Sequence, residues 1–130
     1  MRLASFTTRD RESFGVVDGE RVLDVGYRLT SQYPTLRLAI SGLGLHGIEK
    51  AAQMSEVWHR ADEITWLPPI PDPLKVICVG LNYRAHVLET GRQPPAKPLL
   101  FTRFANSQVG HGALYRRGDL RVAQRSRVHD

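Results

Sequence analysis

Apolar and polar positions alternate at the two-residue period of strands over residues 2–25. RLASF reads as a short first strand, and FGVV and RVLDV flank Asp18, Gly19 and Glu20. Asp-Gly between two apolar runs predicts a hairpin, because both residues tolerate positive φ. The segment is expected to form a small antiparallel meander whose polar turn residues have a structural explanation. From Tyr27 to about Ala61 the period becomes helical. Pro34 fits the first turn of one helix, ended by Ser41-Gly42-Leu43-Gly44. Ile48, Ala51, Ala52 and Val57 are spaced for the buried face of a second helix over residues 48–60. His46 and His59 lack His or Cys partners at ligand spacing, so they are expected as surface or capping side chains.

The run WLPPIPDP breaks this pattern, since prolines so dense can neither continue a helix nor sit inside a sheet. It is expected to be extended, to pack on its own protein through Trp66, Leu67 and Ile70, and to mark a boundary. Residues 1–66 then form a small N-terminal α+β domain, and 67–112 a proline-rich linker with the start of a second domain. In that second part LKVICVG reads as a strand, and its nearly continuous apolar run predicts burial on both faces. Gly80 ends it. Residues 82–91 read as a short helix stopped by Gly91, with His86 and Glu89 three apart on one face. PPAKP forces an extended crossing, LLFTRF is the next strand, and residues 106–112 form a polar, glycine-bearing loop.

Charge and composition narrow the function classes. The net charge is +5, and residues 113–130 carry most of it, with five arginines against two aspartates. Such a tail attracts phosphates, but its single aromatic, Tyr115, gives bases little to stack on, so specific nucleic-acid binding is not the expected role. No apolar run is long enough to span a membrane, and the N-terminus lacks the apolar core of a secretory signal. One cysteine, Cys78, allows no intrachain disulfide, which fits a reducing cytoplasm.

A His–Glu pair at this spacing is most often a surface contact worth a few tenths of a kcal/mol. Its position, after an apolar strand and a glycine turn, supports a second reading. There Glu89 orients the imidazole and His86 activates a water or shuttles a proton.

VICVGLNYRAHVLETG, followed by P-x-K-P-L-L-F and a Ser-x-x-Gly-x-Gly loop, resembles the fumarylacetoacetate hydrolase family. W-x-PPIPDP-x-K is similar to that family's entry into its catalytic domain, and RLASF, FGVVDG and RVLDV resemble the small N-terminal domain of many bacterial members. The likeness covers roughly residues 1–112 and is most specific from residue 79 to 91. It implies an α+β chain: a β-meander and helix domain, then the opening strands and helix of a mostly-β catalytic fold. It also implies metal-dependent hydrolysis, decarboxylation, hydration or isomerisation of a 2-oxo or 2,4-dioxo acid in aromatic catabolism, and homodimers. By motif match His86 and Glu89 are the acid–base pair, and Asn82, Tyr83, Arg84 and Arg103 are candidates to line the substrate pocket. Mg2+ or Mn2+ is the implied cofactor, chelating the 2-oxo-carboxylate end of the substrate.

The sequence departs from the family where the metal ligands belong. These are glutamates in an E-x-E beyond the glycine loop and a later aspartate, yet after Glu89 there is no glutamate, and the only carboxylates are Asp119 and Asp130. No metal ligand is therefore named. The arginine-rich segment 113–130 reads as a frameshifted or truncated stretch, an expectation that the E-x-E motif in another frame of the encoding DNA would support. Two further readings stand beside the enzyme: a non-catalytic fragment or dimerising module, and a basic-tail nucleic-acid-associated protein. On the family reading, strands over residues 76–79 and 99–104 are expected to expose apolar edges, leaving the chain poorly soluble or inactive on its own, or paired with itself or with an intact homologue.

Overall fold

The computed structural model describes residues 1–9, 11–83, 87, 89, 91, 93, 95 and 97–113. Five antiparallel strands form the first sheet: β1 (Leu3–Thr7), β2 (Glu12–Asp18), β3 (Arg21–Asp24), β4 (Trp58–Arg60) and β5 (Thr65–Trp66), in the order β4-β3-β2-β1-β5. The predicted hairpin is β2–β3, with Asp18 facing Arg21. Its two central residues are Gly19 and Glu20 rather than Asp18 and Gly19, and only Gly19 takes a positive φ, 56°. Glycine at the first central position gives the turn a twist that suits the strands.

The alternation decides what each face covers. Phe14 on β2 turns to the helical side, where it packs with Val25, Leu36, Ala39 and Ile48. Burying a side chain of this size stabilises by about 1.5–3 kcal/mol. Ser13, its neighbour, lies on the other face, level with Phe6 of β1.

Helices α1 (Gly26–Leu29) and α2 (Leu36–Gln53) supply the cover. Thr35, not Pro34, starts α2: its Oγ1 accepts from the Leu38 amide at 3.3 Å. Gly44, at φ 65° and ψ 177°, kinks α2 where the sequence placed a break. The expected helix over residues 48–60 is shorter. It ends at Gln53, and Trp58, His59 and Arg60 form β4 against β3. Pairing with an open sheet edge overrides weak helical spacing there, and Arg21 stacks over the Trp58 ring at 4.3 Å.

The proline-rich stretch packs on its own protein, as expected. Trp66 pairs with Phe6, the Leu67 amide donates to Ser5 O, and Ser5 Oγ donates to Pro69 O at 2.8 Å. Ile70 packs on the core, and Asp72 Oδ2 receives Thr35 Oγ1 at 3.1 Å and Arg37 Nε at 3.0 Å.

Beyond it, β6 (Val76–Gly80) and β7 (Leu99–Arg103) form a separate antiparallel pair. Burial of β6 on both faces is not found: Ile77 is 61% exposed and Val79 48%, and every residue of β7 is exposed. Each strand has only the other as its described partner, so the apolar run lacks the cover that a parallel or sandwiched strand receives. A short 3-10 turn, Ala105–Ser107, follows β7.

Candidate functional site

The candidate site begins where β6 stops. Gly80 is its last residue, and the next, Leu81, holds a φ of 52°. A bulky residue in the left-handed region is uncommon, because its Cβ crowds the next carbonyl. Asn82 and Tyr83 come after it, both exposed. The Val87 amide donates to Tyr83 O at 3.0 Å, one helical turn, and Val87 and Glu89 are helical. Val87 is buried and anchors this turn, Glu89 is exposed, and Gly91 takes φ 66° at the expected stop. His86 and Arg84 lie outside the described residues, as does the basic segment 114–130.

Arg103 sits elsewhere. Gly80 pairs with Leu99 at one end of the β6–β7 ladder and Val76 with Arg103 at the other. At about 3.4 Å per residue the two ends are about 14 Å apart. The Arg103 guanidinium turns onto its own loop, donating from Nε to Ser107 Oγ at 3.1 Å and from a terminal nitrogen to Ser107 O at 2.5 Å. Ser107 Oγ in turn donates to Phe104 O at 2.6 Å. Asn82, Tyr83 and Glu89 thus follow the Gly80 end of the ladder in the chain, and Arg103 holds a loop at the other end.

Among the described residues no group of three His, Cys, Asp or Glu side chains is placed to hold a metal ion. These residues do not fit a divalent cation.

Sequence reasoning missed a polar cluster on the first sheet. Asp24 is fully buried, and its carboxylate accepts from four groups: Ser13 Oγ at 2.5 Å, the Tyr27 amide at 2.8 Å, Arg11 at 2.7 Å and His59 Nε2 at 3.1 Å. His59 is therefore a partner of a buried carboxylate, and its ring meets Phe6 edge-on at 5.8 Å. A carboxylate only accepts, so Nε2 carries the proton. The shared parity of Val22 and Asp24 in RVLDV was a signal for burial, but the partner 35 residues away was not visible. His59 borders an open cleft with Thr8, Arg9, Asp62 and Glu63. There the hydrogen bonds from Arg60 hold the exposed Asp62 carboxyl below its usual range.

No family model matches the chain. It is 31% identical over 116 residues to a mitochondrial oxaloacetate tautomerase of Xenopus laevis, an alignment spanning 85% of this chain and 36% of that protein. A human mitochondrial oxaloacetate tautomerase is 46% identical over 48 residues, 37% of this chain and 15% of the relative. An oxaloacetate tautomerase of Bacillus subtilis is 35% identical over 63 residues, 46% and 21% of the two chains. The structure resembles maleylpyruvate hydrolase from Sphingobium sp. SYK-6, solved with manganese (II) and pyruvate, with TM-score 0.52 and 27% identity over 82% of this chain and 38% of that one. The chain thus spans 36% or less of the length of these curated relatives.

Proposed function

We propose, on the premise that the chain belongs to the fumarylacetoacetate hydrolase family, that the protein processes a small 2-oxo acid. Among the reactions this resemblance implies, keto–enol tautomerisation needs the least machinery. The enol O–H gives up a proton, the neighbouring carbon gains one, and no co-reactant is consumed. The observation that carries the reading is the strained turn after β6, with Leu81 at φ 52°, leading straight into Asn82, Tyr83 and the helical Glu89. Strain of this kind clusters at sites where the backbone must present side chains to a ligand.

In this reading His86, as the neutral imidazole, takes and returns the proton, and Glu89 holds the ring's other N–H. Asn82 and Tyr83 face the substrate from the turn after β6, Arg84 is carried by the motif alone, and Arg103 keeps its loop in shape. A divalent ion, Mg2+ or Mn2+, would polarise the 2-oxo group in the family's chemistry. The described residues do not fit one, and the proton transfer runs through the chain's own side chains.

The test is the rate at which enol-oxaloacetate is lost from ultraviolet absorbance, with Mn2+ or Mg2+ present. His86→Ala and Glu89→Gln should each lower the catalysed rate by about 10²-fold or more. A rate no faster than buffer, or one that neither variant changes, would overturn the proposal.

A second reading, a non-catalytic module, is favoured by the bare apolar face of β6 and β7. Calorimetry with Mn2+ and oxalate separates the two. Oxalate-dependent binding supports the enzyme, and none from a folded sample supports the module.

A further inference from the structure

We infer that the end of β5 and the first residue of the linker after it are the seat of the loop that succeeds β7, and that Gly110 is the residue that lets the two backbones meet. A Cβ on Gly110 would lie 1.8 Å from Trp66 O, 2.5 Å from its carbonyl carbon and 3.0 Å from Leu67 Cα. All three are backbone atoms, so no side-chain rotation relieves the clash. Gly110 is not among the glycines with positive φ, so its requirement is steric.

Both sides of the contact are held. Trp66 pairs with Phe6, the Leu67 amide donates to Ser5 O at 3.0 Å, and Pro68 and Pro69 stiffen the linker beyond Leu67. On the loop, Ser107 N donates to Phe104 O, Gln108 N to Ala105 O and Ala113 N to Gly110 O. Arg103 braces the same loop through Ser107. No strand pairing joins the two sheets among the described residues, so this contact ties the loop to the first of them. The edge built by β1 and β5 thereby sets the position of the Ser107-x-x-Gly110-x-Gly112 loop. This goes beyond the enzymatic reading and is tested without a substrate.

The experiment is residue-resolved amide hydrogen exchange on the full chain. In Gly110→Ala, the amides of Ser107, Gln108 and Ala113 should exchange about tenfold faster or more, while the Val17 amide, bonded to Arg2 O in the first sheet, keeps its protection. Unchanged loop amides in Gly110→Ala would overturn the inference. If the first sheet loses protection together with the loop, Leu67→Pro decides. It removes the donor to Ser5 O and leaves Gly110 in place. Faster loop exchange in that variant supports the seat, and loop exchange as slow as in the parent overturns it.

Discussion

Asp24 shows how much one side chain can hold. Its carboxylate has no exposed surface and gathers Arg11 from before β2, Ser13 from β2, His59 from β4 and the Tyr27 amide. Removing one partner of a buried ion pair leaves the other uncompensated, which costs about 3–5 kcal/mol. Arg11 is partly exposed, so Asp24→Ala should fall near the lower end, measured as a lower midpoint in urea unfolding. Ser13→Ala removes two hydrogen bonds, the one its Oγ donates to Asp24 and the one it accepts from Arg11, and should cost about 1–3 kcal/mol by the same assay. Little of this was legible in the sequence. Val22 and Asp24 alternate onto one face, but His59 reaches them only because β4 pairs with β3, a register set by tertiary contact. The strained φ of Leu81 was equally hidden, since no residue type announces it.

At the scale of elements, turn and break signals were read correctly, whereas a three-residue strand and the burial of β6 were not. The β2–β3 hairpin is explained by its alternation and its glycine, and the α2 break by Gly44. That glycine sits at φ 65° and ψ 177°, a region nearly closed to residues with a Cβ, although nothing crowds the position. Gly44→Ala should therefore cost about 1–3 kcal/mol through backbone strain alone, seen as a lower melting temperature. β4 was missed because three residues carry too little pattern to outweigh the helical spacing before them. The apolar run of β6 was read as a buried strand. Its composition did not reveal that the described fold gives it a single neighbour. For the candidate site, His86 lies outside the described residues, so the His86–Glu89 pair rests on the motif alone. Only the ladder register separates Arg103 from Asn82 and Tyr83.

Among the described residues, the first sheet has a helical cover and the second leaves large apolar side chains exposed. Ile77, Val79 and Leu100 share one face of the β6–β7 pair and are 61%, 48% and 61% exposed. Phe101 and Leu99 on the other face are about half exposed, and Phe104 beyond them is 84% exposed. Exposed apolar strands of this kind drive association. The chain should self-associate and brighten a hydrophobic dye, and Ile77→Thr with Leu100→Lys should reduce both, monitored by sedimentation and fluorescence. A monomer that leaves the dye dark would contradict this. No described helix is long and apolar enough to cross a membrane, so these residues are not explained by a helical span. The proline stretch carries a last consequence. Composition marks it as the place to divide the protein, yet its backbone hems the edge of β1, Ile70 plugs the core, and Asp72 is bolted to Arg37. A scissor cut after Trp66 would therefore fray the piece it was meant to free, and an excised N-terminal region should be tailored to end after Pro73.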